Sequence, residues 1–315
     1  MSRKKGTIIE YRSYDLHPNF PVMLLCDDVW RISDIPSSRL HFHNCLEIGL
    51  CESDSGTIRT MTGEATFHEG DVTFIGLDIP HTTFSTKGTA SKWSYLFVDV
   101  EELLSRFFPI DTMYDQELLQ GILLNHFAIM PGKLYPDIYQ LITYMIRLMK
   151  KQDKNYQIVV RGMMIAFVTE IMNIFAREGS KKDDLKQKTF SIAPALDYIR
   201  TNYKSAFSID TLADVCNISS THFRRLFSSI MGVSPLEYII QFRVSKASRL
   251  LCTTEMTVME ISLESGFSSI SSFNRHFQSI KGVTPTQWRK NTSVLQNDRQ
   301  IFKYKGWLVP PKTVL

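Results

Sequence analysis

The chain has 315 residues, 43% of them hydrophobic and 22% charged, so it is long enough for about two globular domains and too apolar for disorder throughout. Polar residues interrupt the longest apolar stretch, which argues against a membrane span, and no apolar segment follows the basic N-terminus, which argues against a secretory signal. The five cysteines show no CxxC spacing, which argues against a disulfide framework. Together these features predict a cytoplasmic protein. The formal net charge is +4, but residues 1–190 carry −3 and residues 191–292 carry +4, which indicates that the second half binds a polyanion.

Short runs of alternating polar and apolar residues predict strands over about residues 39–100. Turn sequences rich in glycine and aspartate separate them, as in residues 54–56 and 69–71. Regular short strands of this kind are typical of an antiparallel barrel or sandwich. The predicted strands include residues 46–51, 57–61, 65–68, 72–75 and 94–98.

After about residue 134 the apolar period becomes helical. Residues 138–149 form one apolar stripe, whereas residues 157–177 are apolar nearly all round. Such a helix needs cover on more than one face, either from its own domain or from a second subunit, and we expect a homodimer. Residues 1–178 are therefore predicted to form one domain with a dimerisation role, and the charged residues 179–190 a linker.

Residues 191–292 contain two copies of one pattern. The string from Phe223 to Pro235 recurs 50 residues later between Phe273 and Pro285. Each copy is typical of a helix, a tight turn and a second helix, the helix-turn-helix unit. A helix over about 236–251, roughly 24 Å long, joins the copies and can place the two second helices in successive major grooves, about 34 Å apart. The tail 293–315 has no clear pattern and is left unassigned.

The second helix of each copy has an apolar face and a polar face without a carboxylate. Apolar residues from Phe223 to Ile230, and from Phe273 to Ile280, are predicted to face the core. The opposite faces carry arginine, asparagine, serine and threonine, and arginine bonds guanine in a fork as asparagine does adenine. A surface helix usually mixes glutamate with lysine, so these acid-free faces indicate nucleic-acid contact.

Residues 191–292 resemble the DNA-binding region of AraC-type bacterial transcription regulators through the strings SIDTLADVCNISSTHFRRLFSSIMGVSPLEYI and VMEISLESGFSSISSFNRHFQSIKGVTPTQWRK. The resemblance implies that the second helix of each copy enters the major groove of double-stranded DNA, and that an activator would also contact RNA polymerase. His276 departs from the first copy, which has Leu226, and is expected half-buried at the rim. Carried over by position, the base-contacting residues are Thr221, Arg224, Arg225, Ser271, Ser272, Asn274 and Arg275.

The front half contains a concentrated group of metal-ligand residue types. On one strand His41, His43 and Glu47 would share a face, so their side chains can converge inside a barrel. With His81 they suit divalent iron, zinc, manganese or nickel, and the HxHxxxE…H spacing resembles the cupin metal motif. Cupin domains form the effector half of many AraC-type regulators, so the resemblance implies that residues 1–178 are a cupin-like effector-binding domain. The candidate effector-binding residues are His41, His43, Glu47, His81, Trp93 and Tyr95, and the first four are also the candidate metal ligands.

The expected fold is multidomain α+β: an N-terminal antiparallel, cupin-like β-barrel with following helices, then an all-α domain with two helix-turn-helix units. The expected function is that of a sequence-specific DNA-binding regulator controlled by a small-molecule effector, such as a sugar or another metabolite, rather than of an enzyme. Two alternatives stay open: a metal-dependent cupin enzyme of the dioxygenase or isomerase class, and a regulator that needs no ligand. Trp93 and Tyr95 either line the pocket or belong to the core.

Overall fold

The computed structural model describes residues 8–294, apart from 106–122, 179–191 and a few short interruptions before residue 126. The chain divides into two compact units between residues 189 and 190. In the described residues, the strands and three helices lie in the N-terminal unit, and the C-terminal unit is helical. The expected linker, residues 179–190, and the tail beyond residue 294 lie outside the described residues.

The N-terminal unit is built from strands that form two five-stranded sheets. The described strands are β1 (Ile8–Arg12), β2 (Val22–Leu25), β3 (Arg39–His43), β4 (Leu46–Cys51), β5 (Ser55–Thr60), β6 (Glu64–His68), β7 (Asp71–Ile75), β8 (His81–Ser85), β9 (Trp93–Val98) and β10 (Phe127–Pro131). The first sheet has the order β1-β3-β8-β5-β6 and the second the order β10-β7-β4-β9-β2. Their ladders are antiparallel except that β1 runs parallel to β3, so the expected class of fold is confirmed.

The central strands of the second sheet are buried on both faces. Every residue of β4, β7 and β9 is buried, whereas burial alternates along part of β5. Leu46, Ile48 and Leu50 of β4 pack into the core shared with the helices. Because neighbouring side chains of a strand point to opposite faces, Glu47 faces the first sheet. A carboxylate is thereby placed in the interior of the unit.

The strand predictions are confirmed in type, with one error of placement. The predicted strands at 46–51, 57–61, 65–68, 72–75 and 94–98 agree with observed strands to within two residues at either end. Residues 41–47 do not form one strand, as the sequence analysis assumed, because β3 ends at His43 and β4 begins in the other sheet. Between them, the Asn44 side chain accepts the backbone N–H of Tyr14 at 2.8 Å and donates to its carbonyl at 3.1 Å. These bonds to the Tyr14 backbone stabilise the crossing.

Three described helices accompany the second sheet: α1 (Val100–Ser105), α2 (Pro136–Lys151) and α3 (Tyr156–Glu178). The apolar stripe predicted for α2 is confirmed, since Ile138, Ile142, Met145 and Met149 are buried. On α3 one side is buried in the same core, where the rings of Phe167 and Phe74 stack at 6.3 Å. Part of the cover that an all-apolar helix requires therefore comes from its own unit.

Helix α3 also meets the length and composition criterion for a membrane span. An 18-residue window within Tyr156–Arg177 has a mean hydropathy of 1.7, and in the described part of the chain this is the one helix that qualifies. Core helices of globular proteins meet the same criterion. The Arg161 side chain is buried here, donates to the carbonyl of Leu103 at 2.8 Å and lies over the ring of Phe20. That charged group is held by protein atoms of this unit.

The C-terminal unit is a succession of helices, and those after the first, which follows Ile192, begin at a serine or threonine cap. The described helices are α4 (Ala193–Asn202), α5 (Ile209–Val215), α6 (Ser220–Met231), α7 (Pro235–Thr253), α8 (Val258–Glu264), α9 (Ile270–Lys281) and α10 (Pro285–Val294). The helix starts predicted at Ser208, Ser219 and Ser234 are confirmed, because each side chain accepts a backbone N–H of the first turn. Serine stabilises a helix start in this way.

The predicted tight turn occurs in both copies, between α5 and α6 and between α8 and α9. Asn217 has φ 54° in the first turn and Gly266 has φ 83° in the second. Both values lie in the left-handed region, which glycine and asparagine adopt most readily. A Cβ atom at position 266 would lie 2.1 Å from the Tyr203 carbonyl oxygen. The second copy therefore requires glycine at this turn.

Candidate nucleic-acid interface and histidine–glutamate cluster

Helices α6 and α9 have the same length and the same kind of ends. Each has twelve residues and begins after an extended serine, Ser219 or Ser269, whose hydroxyl accepts the N–H three residues on. Each ends at a left-handed glycine, Gly232 or Gly282. Residues 50 apart in the sequence therefore occupy the same positions on the two helices.

The two helices bury their phenylalanines and expose most of the candidate base-contacting residues. Phe223, Phe227, Phe273 and Phe277 are fully buried. The exposed candidates are Thr221, Arg224, Arg225, Ser271, Asn274 and Arg275. Neither helix carries a carboxylate, so both exposed faces are cationic or neutral. Such a face can meet DNA phosphates and bases without repulsion between like charges.

Two predicted positions differ from expectation at the edge of these faces. Ser272 is half-buried rather than exposed, because it lies in the first turn between the capping serine and the buried Phe273. Ile280 was predicted to face the core but is 37% exposed, while its counterpart Ile230 is buried. The last turn of α9 lies at the edge of the core cluster that Phe273 and Phe277 join.

His276 is half-buried, as the sequence analysis expects. Its ring stacks against Phe267 with centroids 6.3 Å apart. Burial lowers the pKa of His276, and the neighbouring Arg275 lowers it further. The neutral ring therefore takes the place that Leu226 has in the first copy.

The helix that joins the two copies is longer than predicted. Helix α7 has 19 residues, against about 16 expected, and so spans roughly 28 Å. Arg243 of α7 donates to the carbonyls of Tyr203 and Ser205 at 2.9 Å. Arg289 of α10 likewise donates to the carbonyls of Leu251 and Met256. These two arginines have a structural role, because each bonds backbone carbonyls of another segment. The exposed arginines of α6 and α9 differ from them in this respect.

In the N-terminal unit the structure brings the predicted histidine and glutamate side chains together. Ligand atoms of His41, Glu47 and His81 all lie within 4.8 Å of one another. His43 lies beside them, with its Nε2 3.0 Å from the Oε2 of Glu47, and the Nε2 of His81 is 3.6 Å from the same oxygen. Convergence comes from β3, β8 and β4 in two facing sheets, not from one strand. Glu47, His43 and His81 are buried and His41 is partly buried.

Hydrogen bonds orient two of these imidazoles. The Nδ1 of His43 is 2.7 Å from the carbonyl of Cys45, and the Nδ1 of His81 is 2.9 Å from that of Ile79. A carbonyl only accepts, so the network assigns the hydrogen to Nδ1 in both rings. In a neutral ring the Nε2 atom then has a lone pair directed at the Glu47 carboxylate. Two electron-rich atoms repel each other, so the 3.0 Å contact between His43 Nε2 and Glu47 Oε2 needs a cation shared by the two atoms. A proton or a metal ion meets that need.

Burial and charge shift the pKa values in this cluster. Burial raises the pKa of the Glu47 carboxyl, but the charge of His81 and the hydrogen bonds from His43 and His81 outweigh burial, and the net pKa lies well below its usual range. Burial and the charges of His81 and Arg12 hold the pKa of His41 well below its usual value. An ionised carboxylate beside a neutral imidazole is a combination that binds divalent transition metals.

The two aromatic candidates take different places. The Trp93 indole N–H donates to Ser91 at 2.9 Å, and its ring stacks on Tyr95 at 5.2 Å and packs against Phe67. Trp93 is therefore held within the core of the unit. Burial raises the pKa of the Tyr95 hydroxyl, and the charge of Glu47 raises it further. Tyr95 therefore lies close enough to the cluster to feel the charge of Glu47. Tyr14, which the sequence analysis missed, packs 5.7 Å from the His43 ring.

A surface groove of about 620 Å³ lies apart from the cluster, between β4 and α2. Three cations of its lining, Arg147, Lys150 and Lys151, come from the last turns of α2. Their spacing in the sequence did not predict a groove. It is lined by Leu50, Glu52, Thr143, Ile146, Arg147, Lys150 and Lys151.

Comparison with known proteins points to one class of protein. Residues 212–291 match a family model described as a helix-turn-helix domain. The chain is 35% identical to the Transposon Tn10 TetD protein of Escherichia coli over 109 residues, which are 35% of this chain and 79% of that protein. It is 21% identical to the melibiose operon regulatory protein of Escherichia coli (strain K12) over 274 residues, 83% of this chain and 86% of that protein.

Among the similar solved structures is that of a transcriptional regulator with an AraC-type DNA-binding domain from Chromobacterium violaceum. It is 26% identical in sequence and has a TM-score of 0.32, and the match covers 33% of this chain and 94% of that one.

Proposed function

Because this chain belongs to the AraC-type family of DNA-binding transcription regulators, we propose that α6 and α9 read two neighbouring segments of one DNA duplex and that a small molecule bound in the N-terminal unit controls this reading. The observation that carries the first part is the pair of matching, acid-free helix faces with Arg225 and Arg275 exposed at equivalent positions. The relatives are transcription regulators, so a metal-dependent enzyme is not the function.

In the proposed complex the first turns of α6 and α9 lie in successive major grooves. Arginine forks bond guanine, and Asn274 bonds adenine. The capped N-termini of the helices direct free N–H groups and a partial positive charge toward the phosphates. Phosphate contacts fix the register, and base contacts give the specificity.

The test is to measure the affinity of the full chain for its selected site and for random duplexes. Arg225→Ala or Arg275→Ala should weaken binding to the selected site by about 1–3 kcal/mol and affect random DNA much less. Lys133→Ala, which removes an exposed cation of the N-terminal unit, is the matched control and should leave both affinities unchanged. Equal losses on selected and random DNA would show that the arginines do not read bases.

For the second part, we propose that the effector binds at the histidine–glutamate cluster. Buried imidazoles and a carboxylate suit the hydroxyl groups of a sugar or a comparable polar metabolite, because each can donate or accept hydrogen bonds there. One relative is named for the melibiose operon, which supports a sugar as the first class to test. The effector can shift DNA binding only by its difference in affinity for two states of the protein.

The donor set also favours a divalent transition metal in this cluster. His41, Glu47 and His81 would hold the ion, and His43 would complete the set, with the Nδ1 bonds to backbone carbonyls fixing the ring orientations. A bound metal would supply a Lewis-acidic point to which an oxygen atom of the effector could bind.

Metal content and thermal stability test this site. We expect purified protein to hold close to one equivalent of iron, zinc, manganese or nickel, and its melting temperature to fall with a chelator. His81→Gln should remove both effects. His68→Gln is the control, because His68 is exposed outside the cluster on β6. If the purified protein holds no metal and added metal does not change its melting temperature, the metal proposal is wrong. The imidazoles would then contact the effector directly.

We further propose a homodimer in the cytoplasm that contacts RNA polymerase if it activates transcription. Helix α3 supports the dimer, because Ile158 is 65% exposed and Val159 is 41% exposed beside its buried side. Sedimentation of the full chain tests it. Ile158→Glu should shift the equilibrium toward monomer, and an unchanged association constant would place the interface elsewhere.

A further inference from the structure

The second helix-turn-helix copy exposes three apolar side chains where the first copy has polar ones. Met259 and Leu263 of α8 are 63% and 56% exposed, and Ile270 of α9 is 42% exposed. In the alignment of the two copies, α5 aligns with α8 at an offset of 49 residues and α6 with α9 at an offset of 50. The corresponding residues of the first copy are Asp210, Asp214 and Ser220.

Of these three, Ile270 is the one on the proposed recognition helix. It is the first residue of α9, directly after the capping Ser269. Residues four apart are neighbours on a helix surface, so Ile270 adjoins the exposed Asn274. In helix-turn-helix proteins the N-terminal residues of the recognition helix contact base edges. Ile270 therefore lies where a base contact is made.

The apolar side chain restricts what Ile270 can recognise. Among the groups that base pairs present in the major groove, the C5-methyl of thymine is the apolar one, and the others donate or accept hydrogen bonds. Isoleucine has no hydrogen-bonding group. Burying it against a methyl group removes apolar surface of both partners from water, whereas placing it against a polar edge leaves that edge unpaired.

We propose that Ile270 contacts the methyl group of a thymine and gives the second copy a preference that the first copy lacks. In the first copy the Ser220 hydroxyl donates to the Asp210 carboxylate, so this position is polar and already bonded. The proposal rests on the proposed reading of DNA by α9, and it makes the two copies unequal: only the segment read by the second copy has a thymine preferred through a contact at this helix position.

The experiment replaces single thymines of the selected site with deoxyuridine. This change removes the methyl group and keeps the base pairing and the O4 acceptor. With the full chain, we expect one thymine in the segment read by the second copy at which the replacement weakens binding roughly fourfold, the equivalent of one buried methyl group. Ile270→Ser should bind the thymine and deoxyuridine duplexes equally, and Ile270→Val should keep most of the discrimination.

Met259→Ser is the matched control, because it removes an exposed apolar side chain of the same copy that lies outside α9. It should keep the wild-type discrimination, and the melting temperatures of the variants should agree. The proposal is overturned if Ile270→Ser discriminates as the wild type does, or if Met259→Ser loses the discrimination; either result would mean that Ile270 is not the residue that recognises the methyl group.

A control on Arg275 separates this proposal from the reading of DNA by α9 itself. If Arg275→Ala weakens selected and random DNA equally and no thymine shows an Ile270-dependent effect, the proposed reading of bases by α9 and the thymine contact both fail. If Arg275→Ala is selective and no thymine shows an Ile270-dependent effect, the reading of bases by α9 stands and the thymine contact alone is refuted.

Discussion

At the scale of single residues, the second copy contains two buried hydroxyl groups that the first copy avoids. Ser262 and Ser265 are almost fully buried, and in the described residues their Oγ atoms have no hydrogen-bond partner. The equivalent positions of the first copy are Ala213 and Cys216. A buried polar atom without a partner costs about 1–3 kcal/mol, so the second copy is stabilised less than its core volume allows.

This difference predicts a stabilising substitution. Ser262→Ala copies the residue of the first unit and removes an unpaired hydroxyl, so we expect the free energy of unfolding to rise by about 1 kcal/mol. Urea denaturation of the full chain followed by helical circular dichroism measures it. Ser268→Ala, at an exposed position, should change stability much less. A loss of stability in Ser262→Ala would mean that the hydroxyl is bonded in solution.

His276 gives a second residue-scale prediction, on pH. Burial and Arg275 lower its pKa, so below about pH 6.5 the unfolded chain binds more protons than the folded one and stability falls as the pH drops through this window. His276→Leu, the residue of the first copy, removes this contribution. The unfolding free energy of the variant minus that of the wild type should be constant above pH 7 and rise as the pH falls. A constant difference over pH 5–8 would contradict it.

At the scale of the elements, the short helix α8 depends on its cap. It has seven residues, too few for a helix to be stable alone. The Thr257 hydroxyl accepts the Glu260 N–H at 3.2 Å, and the Glu260 carboxylate accepts the Thr257 N–H at 2.7 Å. The hydrogen bonds that the Thr257 N–H and hydroxyl donate to this carboxylate lower the pKa of Glu260. This reciprocal capping box fixes where α8 begins and so where the turn at Gly266 and α9 follow.

The cap leads to an element-scale prediction. Thr257→Ala removes a side-chain acceptor from the start of α8 and should cost about 1 kcal/mol of unfolding free energy. Because α8 packs on α9, DNA binding by the second copy should weaken as well. Thr286→Ala, at an exposed position in the first turn of α10, serves as the control in denaturation and in DNA-binding assays. Unchanged stability would mean that packing alone sets the helix start.

At the scale of the whole molecule, the two units differ in the kind of chemistry they offer. The N-terminal unit buries a carboxylate among imidazoles between two sheets. The C-terminal unit presents exposed arginines on helices that carry no acid. The net charges of the two halves follow the same division. The proposed binding of a small polar effector and the proposed contact with DNA therefore use separate units.

The salt dependence of DNA binding is the prediction for the whole molecule. Each phosphate that the chain neutralises should add about −0.9 to the slope of log affinity against log salt. Arg225→Ala should lower affinity for the selected site and leave this slope nearly unchanged, since a base contact releases few counterions. Titrations from about 50 to 200 mM salt measure both quantities. A slope reduced by about one unit would assign Arg225 to a phosphate.

Local patterns in the sequence determined the second half of this protein. The repeat from Phe223 to Pro235, the capping serines and the 3.6-residue period act over a few residues, so they fix the helices, their starts and the exposed faces without knowledge of the rest. The same local signals placed most central strands of the N-terminal unit. The HxHxxxE…H spacing, through its resemblance to the cupin metal motif, grouped His41, His43, Glu47 and His81.

The tertiary structure decided how these groups meet. Strands β1, β2, β8 and β10 lacked a clear pattern because their partners are distant in sequence, and the pairing rather than the propensity makes them strands. The crossing after His43, which moves Glu47 to the facing sheet, depends on Asn44 and Tyr14, 30 residues apart. The exposure of Ile270 and Ile280 and the burial of the Ser262 hydroxyl likewise follow from packing, which no short stretch of sequence encodes.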